Sequence, residues 1–458
     1  MIRILIIILV SIQSLQGVWL TYEEAVLNSP FKTASIGWTI PFPNEDAVLM
    51  RGRDDDWKKW FKVDLIRSDT TLFLDSLAFN WNGDDLFIEG LTISESADKI
   101  LIRTDSKKIW RYSHISTYYV YDLVTQRLMP LTDKNKGLRN VKFSPGGQKI
   151  AYIRQDNNLY MYDFERDRER KLTTTGSETI SNGHFGWLYE EELTGYDGYR
   201  WSPNGESIAY WEEDESMVPE FSMINELGQY PSIEKIRYPK AGETNPTLKI
   251  GIIRIKGAGR KWIEGATVDY DYLPWMEWVN EEKVAFIKMD RKQKNWDMYV
   301  ADRATGRSMK VLSESDSDGW LENHGQIRFL NDGKIVWISE NSGYKHIWMS
   351  KHSGSNSWSI TEGKWEVSSI VHIDEDDELI YFMGNKESVF EKRLYSIRYD
   401  GTEVKLITPE RGSHIVRITG SKNYFIDTYS SLTQPRTILL KNLRTGKVIR
   451  VLGETDLA

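Results

Sequence analysis

Short apolar segments alternate with polar turns along most of the chain, in a phrase that returns many times. A short strand-like segment is followed by a turn rich in Gly, Asn or Asp, then by a second apolar segment and a third. Residues 141–143 lead in this way through a Ser-Pro-Gly-Gly turn to apolar residues 150–153 and 159–162. Such short apolar runs between turns are typical of β-strands, and amphipathic helical periodicity is nearly absent. The pattern therefore predicts an all-β protein.

The phrase recurs about eight times, at spacings that are mostly of about 40 to 60 residues, the repeat length of β-propeller blades. The copies begin near Ile36, Leu91, Val141, Tyr199, Met276, Ile327, Val371 and Val416. A four-stranded antiparallel sheet cannot bury both faces alone, and a ring of such sheets buries them. We therefore expect a β-propeller of about eight four-stranded antiparallel blades. A β-sandwich and a WD40 ring are the alternatives; against the second, the Trp296-Asp297 pair stands alone.

The composition changes this picture mainly by exclusion. Of the 458 residues, 40% are hydrophobic, 28% charged and 12% aromatic, as in a globular protein with a substantial core. The net charge is −8 and no block of Lys and Arg stands out, which argues against a nucleic-acid partner. Cysteine is absent, which excludes disulfides, thiol catalysis and cysteine-bound metals, and the seven histidines are scattered. We expect no metal and no cofactor.

The first residues have the pattern of a secretion signal. Arg3 precedes an apolar run at residues 4–10, and small or polar residues follow as far as Gly17. A positive start and an apolar stretch too short to span a bilayer predict a signal peptide at residues 1–17, ahead of a propeller domain at 18–458. A buried N-terminal strand is the alternative. The signal implies a secreted or periplasmic protein, with no membrane contact beyond that segment.

Several segments are more specific than a general propeller repeat. They read WLYEEEL at 187–193, YPKAG at 238–242 with NPT at 245–247, KIWRYS at 108–113 with YD at 121–122, TEGKWEV at 361–367 and YFIDTYSS at 424–431. Together they resemble the N-terminal propeller of the dipeptidyl peptidase IV family, serine exopeptidases of the prolyl oligopeptidase clan. The resemblance runs from about Leu20 to the C-terminus.

The resemblance implies a site for peptides with a free N-terminus. In that family the W-x-Y-E-E-E segment forms a short helix that is inserted in a blade and directed into the central cavity. By this resemblance Glu191 and Glu192 bind the amino terminus and Arg111 holds a substrate carbonyl. The chemistry fits, because an α-amino group is largely cationic at neutral pH and two carboxylates offer it several acceptors. The alternative is an acidic helix start that faces solvent.

The same resemblance implies a hydrolase domain, which we do not find in this sequence. No Gly-x-Ser-x-Gly motif is present, the strained turn that carries the nucleophilic serine, and the chain stops at Ala458 soon after the last repeat. We therefore expect no peptidase activity from this polypeptide alone. The first hypothesis is a substrate-gating propeller that is a truncated gene product, a fragment, or half of a split enzyme whose hydrolase domain is encoded separately. The second hypothesis is a non-enzymatic secreted or periplasmic scaffold for protein interaction.

Two more expectations come from the resemblance. The segment at 239–246 belongs in the family to a long loop that extends from the propeller and helps to form a homodimer; an ordinary blade-connecting loop is the alternative. Some family members build an outer subsite from a Phe-Arg pair after a Gly-Trp phrase. Because Gly319 and Trp320 are followed here by Leu321 and Glu322, we do not expect that subsite.

Overall fold

The computed structural model describes residues 21–23, 33–52, 59–75, 79–133, 135–257, 259–266, 270–322, 326–351 and 356–455. The expected signal peptide at residues 1–17 lies outside these residues. Within them, eight antiparallel sheets follow one another along the chain, with two small two-stranded sheets beside them. Across the same ranges, no helix has both the length and the apolar character needed to cross a bilayer. The predicted propeller is confirmed, and it has eight blades.

The first three blades are regular four-stranded meanders, and a small hairpin separates the first two. Their strands are β1 (Thr39–Pro41), β2 (Ala47–Arg51), β3 (Lys59–Asp64) and β4 (Thr70–Asp75) in blade 1, β5 (Asn80–Trp81) and β6 (Asp84–Asp85) in the hairpin, β7 (Gly90–Ile93), β8 (Lys99–Lys108), β9 (His114–Asp122) and β10 (Arg127–Pro130) in blade 2, and β11 (Arg139–Phe143), β12 (Lys149–Ile153), β13 (Leu159–Asp163) and β14 (Arg168–Lys171) in blade 3.

Blade 4 departs from this plan because it contains a helix and a projecting hairpin. Its elements are β15 (Ile180–Asn182), α1 (Trp187–Leu193), β16 (Tyr199–Trp201), β17 (Ser207–Asp214), the hairpin strands β18 (Glu220–Asn225) and β19 (Ser232–Arg237), β20 (Thr247–Arg254) and β21 (Arg260–Trp262). The last four blades are regular again.

Each of these last blades has four consecutive strands. They are β22 (Tyr272–Asn280), β23 (Lys283–Met289), β24 (Asn295–Asp302) and β25 (Ser308–Ser315) in blade 5, β26 (Arg328–Phe329), β27 (Ile335–Ser339), β28 (His346–Ser350) and β29 (Trp358–Ser359) in blade 6, β30 (Val367–Asp374), β31 (Leu379–Gly384), β32 (Arg393–Arg398) and β33 (Lys405–Leu406) in blade 7, and β34 (Ser413–Ile418), β35 (Tyr424–Ser430), β36 (Thr437–Asn442) and β37 (Val448–Glu454) in blade 8.

The meander order gives the ring two different faces. The turn between the second and third strands and the connection to the next blade lie at one face, which we call the upper face. The other two turns of each blade lie at the lower face. The first strands line the central channel: residues of β7 and β11, with Trp38 next to β1, border one common cavity of about 440 Å³.

Neighbouring blades are held together by apolar side chains. In the part of the chain that the structure describes, one buried cluster lies at each of the eight contacts between adjacent blades. Between blades 4 and 5, for example, Trp211 and Ile250 pack with Trp278 and Phe286. Full burial of one such side chain contributes roughly 1.5–3 kcal/mol. Face-to-face stacking of the sheets therefore holds the ring.

The ring closes without a shared strand. Among the described residues, no strand of blade 1 pairs with a strand of blade 8. Val48 instead packs with Leu440 in one apolar cluster. Asp46 accepts hydrogen bonds from Thr419 Oγ1 at 2.5 Å and from Ser421 Oγ at 2.6 Å. We call this contact the seam.

The Ser-Pro-x-Gly turns are closed by their serine and their glycine. Ser144 Oγ accepts the N–H of Lys149 at 3.1 Å, and Ser202 Oγ accepts the N–H of Ser207 at 2.9 Å. Gly205 has a φ of +64°, a conformation that glycine adopts without steric cost. The turns thus satisfy a backbone donor at the start of each second strand.

A second recurrent feature was not among the expectations. In three blades, a Leu-Thr or Ile-Thr pair follows the fourth strand, and the threonine hydroxyl accepts a backbone N–H near the start of the third strand. The bonds run from Leu159 to Thr173 at 2.9 Å, from Ile347 to Thr361 at 2.9 Å and from Leu394 to Thr408 at 2.8 Å. The two-residue signal is too short to be recognised without these contacts.

Removing one of these hydroxyls is expected to destabilise the propeller. Thr408→Val keeps the shape of the side chain but leaves the buried N–H of Leu394 without its acceptor. An unsatisfied buried donor costs about 1–3 kcal/mol, so the free energy of unfolding in urea falls by that amount. Thr71→Val, at an exposed position of β4, is the control and changes it by less than about 0.5 kcal/mol. Equal losses in both variants would contradict the role of the hydroxyl.

Candidate functional site

In blade 4 the innermost strand is split into two short strands, β15 and β16, with a helix between them. Both β15 and β16 pair with β17, β15 at its C-terminal end and β16 nearer its start. Between them the chain leaves the inner edge of the sheet and forms α1, which begins after Gly186 and ends at Leu193. The next residue, Thr194, has a left-handed φ of +54°. Because inner edges border the channel, the helix starts from the channel wall.

The apolar side of α1 fixes it to blades 4 and 5. Tyr189 and Leu193 are buried in the cluster between these blades. The Tyr189 hydroxyl accepts the N–H of Leu273 at 3.0 Å. At the first turn, the ring of Trp187 packs on Tyr238 with the centroids 4.3 Å apart. The three glutamates of the helix are therefore held on a rigid base.

Glu190, the first of these glutamates, is buried and ties the helix to blade 2. Its Oε1 accepts the backbone N–H of Tyr112 at 2.6 Å and that of Ser113 at 2.7 Å. Its Oε2 and the Ser113 hydroxyl are buried without a hydrogen-bond partner among the described residues. Arg139, on the first strand of blade 3, interacts electrostatically with the Glu190 carboxylate. The sequence analysis assigned no role to Glu190. In the sequence it is marked only by its position next to Glu191 and Glu192.

Glu191 and Arg111 are brought together across the ring. Arg111 Nε donates to Glu191 Oε2 at 2.7 Å, and the backbone N–H of Arg111 donates to Oε1 at 3.1 Å. The side-chain hydrogen bond, aided by the partner's charge, raises the pKa of Arg111 and lowers the pKa of Glu191 from their ordinary values. The Glu191 side chain is 15% exposed and that of Arg111 63%. The carboxylate is thus the shielded member of the pair.

Glu192, the third glutamate, is exposed near the end of α1. Its carboxylate has no hydrogen bond and no ion pair within the ranges that the structure describes. Both of its oxygens are therefore available as acceptors. The two acids that the sequence nominated therefore differ: Arg111 binds Glu191, whereas Glu192 has no partner among the described residues.

The contact between α1 and Arg111 lies at the channel. The helix belongs to blade 4, and residues 109–113 form the upper-face turn of blade 2. The first strand of blade 3 lies between them, and its Asn140 donates to the carbonyls of Gly183 and Tyr196 at 3.1 and 2.9 Å. Because α1 is inserted in the innermost strand of blade 4 and its flanking residues are bound by the innermost strand of blade 3, the contact lies toward the channel. The ion pair therefore does not lie on the outer rim.

Two further carboxylates lie at the start of α1. Glu213 is buried, and its Oε2 accepts the N–H of Gly186 at 2.5 Å. Burial, together with the neighbouring charge of Glu215, raises the pKa of Glu213 well above its ordinary value. Burial also raises the pKa of Glu215 to about 7, with Asp214 adding to the effect and Arg237 opposing it. The pair retains a proton at a pH at which an exposed glutamate has lost it.

The predicted long loop of blade 4 is an insertion between β17 and β20, and its projecting part is the hairpin β18–β19, which we call the arm. Residues 239–246 form its return to the blade. The arm and its flanks expose seven large apolar side chains, Met217, Phe221, Met223, Ile224, Leu227, Tyr230 and Ile233. Phe221 packs on Tyr238 with the centroids 5.6 Å apart. Because Tyr238 also contacts Trp187, the root of the arm and α1 share one aromatic cluster.

The remaining expectations concern metals and the outer subsite. Within the described ranges, no three His, Asp or Glu side chains are grouped as metal ligands. Trp320 is exposed. Residues 323–325 of the same segment lie outside the described part, so the expectation of no Phe-Arg subsite there stays a prediction.

Eight stacked sheets, with a helix-borne carboxylate meeting an arginine over the channel, define a β-propeller with a polar site at its inner wall. The family described as the dipeptidyl peptidase IV (DPP IV) N-terminal region matches residues 94–436, from blade 2 into blade 8. The chain belongs to this family. The matched stretch includes Arg111, Glu191 and Glu192.

Individual relatives agree with this assignment. A probable dipeptidyl-aminopeptidase B of Talaromyces marneffei is 29% identical over 427 residues, which cover 84% of this chain and 47% of that protein. Dipeptidyl aminopeptidase B of Saccharomyces cerevisiae is 27% identical over 432 residues, covering 90% of this chain and 51% of that protein. The chain thus spans about half the length of these curated relatives. The crystal structure of Porphyromonas gingivalis dipeptidyl peptidase 4 shares the fold, with a TM-score of 0.84 at 24% identity, covering 94% of this chain and 61% of that one.

The Glu213–Glu215 pair is expected to make the propeller less stable as the pH rises. The folded state holds a proton that the unfolded state releases near pH 4.5, so stability from this group is present at low pH and is lost as the pH rises toward about 7. The glutamine of Glu215→Gln cannot ionise, so this variant lacks that loss. Between pH 5 and 8 the free energy of unfolding of the wild type is expected to decrease by up to about 3 kcal/mol more than that of the variant. Urea denaturation at several pH values measures this. Glu226→Gln, at an exposed position of the arm, keeps the wild-type slope; the same slope in Glu215→Gln would refute the assignment.

Proposed function

We propose that this propeller binds the free amino terminus of peptides, as the substrate-gating part of a dipeptidyl peptidase IV-like serine exopeptidase. The observation that carries the proposal is the ion pair of Arg111 with Glu191, beside the exposed carboxylate of Glu192 on the same helix. These are the residues that the sequence resemblance nominated. Two relatives are named as dipeptidyl aminopeptidases, which supports a peptide as the ligand.

An ammonium group is the ligand that these carboxylates favour. It has three N–H donors. Among the described residues, Glu192 has two oxygens without a partner, and each Glu191 oxygen accepts one bond, from Arg111. At an effective dielectric of about 20, a charge pair about 4 Å apart gains about 4 kcal/mol before desolvation is subtracted. Adjacent carboxylates also repel each other until a cation enters. An internal peptide segment has no such charge, so the site admits chain ends.

Arg111 is suited to hold the next group of the peptide. Its Nε is bound to Glu191, and its two Nη groups make no hydrogen bond within the described part of the chain. A peptide carbonyl lies within a few bonds of the amino group and accepts such donors. The guanidinium therefore serves both functions, because it orients Glu191 and presents its remaining N–H groups to the ligand.

The upper face is the surface that we propose a hydrolase domain covers. In the resembling enzymes the catalytic serine belongs to that domain, and a gating propeller works only if its site faces it. Large apolar side chains are exposed in upper-face loops of several blades, at Phe87, Trp320, Phe390 and Leu432. We propose that these side chains contact the hydrolase domain where it covers the upper face. Secretion or export to the periplasm, expected from residues 1–17, remains part of the proposal.

Isothermal titration with a dipeptide and its N-acetylated twin tests amino-terminus binding. Dialanine is expected to bind at least about tenfold more tightly than N-acetyl-dialanine, because acetylation removes the positive charge; tenfold corresponds to about 1.4 kcal/mol. Replacing both acids, as Glu191→Gln with Glu192→Gln, abolishes this preference.

The matched control replaces two exposed glutamates of blade 3 and its following loop, as Glu165→Gln with Glu178→Gln, and keeps the preference. Equal binding of both peptides by the wild type would sink the proposal. An unchanged preference in the Glu191 and Glu192 variant would mean that other groups bind the amino terminus, and it would refute the assignment to these two acids.

We also propose that the arm joins two copies of the chain. Its seven exposed apolar side chains lie on a two-stranded ribbon, an element that is only marginally stable when isolated in water. Pairing with a second arm would cover this surface, and a two-fold contact lets the same patch serve on both copies. The resemblance to family members that dimerise through this region supports a second copy as the occupant.

Sedimentation velocity tests self-association. The wild type is expected to sediment as a dimer at micromolar concentration, and Ile224→Asp with Leu227→Asp is expected to be monomeric, because charges would be buried in the contact. Leu432→Asp, at an exposed position of blade 8, is the control and remains dimeric. A monomeric wild type would rule the arm out as a dimer contact.

A further inference from the structure

Two exposed tyrosines lie beside the ion pair of Arg111 with Glu191. The proposed binding of a peptide's ammonium group does not use them. The rings of Tyr112 and Tyr196 are stacked, with their centroids 5.8 Å apart and their planes at 29°. Tyr112 is 45% exposed and Tyr196 42%. Tyr112 directly follows Arg111 in the chain, and Tyr196 lies three residues beyond α1. The stacked pair, which we call the tyrosine platform, therefore adjoins both parts of the candidate amino-terminus site.

The platform is held by backbone contacts rather than by its rings. The N–H of Tyr112 is bound by Glu190 at 2.6 Å. The carbonyl of Tyr196 accepts from Asn140 at 2.9 Å, and the preceding Gly195 donates to the carbonyl of Tyr189 at 2.8 Å. Both backbones are thus fixed while both rings remain partly open to solvent. Rigid aromatic surface of this kind binds apolar groups with little loss of conformational entropy.

Open space continues from the platform into the channel. Tyr196 lines the cavity of about 440 Å³ at the first strands of blades 1 to 3. Two cations lie on its wall: Lys142 forms an ion pair with Asp197 at 2.6 Å, and Arg103 binds the ring of His114 at 2.7 Å and the carbonyl of Glu89 at 3.2 Å. Burial and the nearby Arg103 lower the pKa of His114, so that ring is neutral at pH 7. Among these groups the wall therefore keeps the positive charge of Arg103, which disfavours a cationic side chain there, and the tyrosine rings supply the apolar surface.

We propose that the tyrosine platform is the subsite for the side chain of the peptide's first residue, and that it selects aromatic and large apolar side chains. The inference rests on the proposed function, because the amino group must be bound at Glu191 and Glu192. The amino group and the first side chain leave the same Cα atom, so a bound ammonium keeps that side chain close to Tyr112 and Tyr196. Offset stacking on the pair contributes beyond simple burial. The adjoining cavity gives a large side chain room.

Titration of the full chain with Phe-Ala and Gly-Ala tests the subsite. Both dipeptides have a free amino terminus, and only the first has a ring for the platform. The wild type is expected to bind Phe-Ala about five- to tenfold more tightly than Gly-Ala. Tyr196→Ala removes this preference and leaves the affinity for Gly-Ala within about twofold. Tyr196→Phe retains the ring and the preference, which separates stacking from hydrogen bonding of the hydroxyl.

Tyr344→Ala is the matched control, because this tyrosine is 38% exposed and lies in the upper-face turn of blade 6; it keeps the preference. Tyr112→Ala serves as the second platform variant if Tyr196→Ala does not fold.

Equal wild-type affinity for the two dipeptides overturns the subsite and leaves amino-terminus binding intact. Parallel weakening of both dipeptides by Tyr196→Ala also overturns it. If neither dipeptide binds the wild type, the proposed function fails and the subsite fails with it.

Discussion

Burial of both faces of every sheet is the constraint from which the rest of this structure follows. A single blade leaves two apolar surfaces in water, and a closed ring is the arrangement in which each surface meets another. Closing the ring gathers the first strands around one channel. Arg111 and Glu191, 80 positions apart in the chain, meet there as a result. The candidate site thus depends on apolar stacking far from its charges, because a change in blade number or tilt would separate blade 2 from the helix of blade 4.

Three consecutive glutamates show how strongly position, rather than residue type, decides the role of a carboxylate. Glu190 is buried and accepts two backbone N–H groups of blade 2, Glu191 is paired with Arg111, and Glu192 is exposed, with no partner in the described part of the chain. One turn of helix thus supplies an anchor, an oriented acceptor and an open acceptor. The anchor is what makes the others useful, because it fixes the distance between the helix and the turn that carries Arg111.

The parts of the fold that are local in sequence could be predicted, and those that depend on distant contacts could not. Strand-turn-strand phrases and Ser-Pro-x-Gly turns are local, so they predicted the blades and their approximate starts. The division of one strand position into β15 and β16 depends on pairing with opposite ends of β17, which no short pattern encodes. Glu190 differs from its neighbours only through contacts with blade 2. Arg111 and the two acids were nominated by family resemblance, since their residue types alone also fit a solvated surface.

The seam between blades 1 and 8 differs from the other contacts between adjacent blades. Elsewhere in the described chain a covalent connection runs from each blade to the next and keeps the two sheets at a high effective concentration. At the seam, Val48, Leu440 and the bonds to Asp46 act without such a tether. Separation there would convert the circle into an open arc whose first and last blades diffuse apart, and it would widen the channel at the same time. The mechanical integrity of the whole ring, and the spacing of residues on its far side, is therefore most sensitive to this one untethered contact.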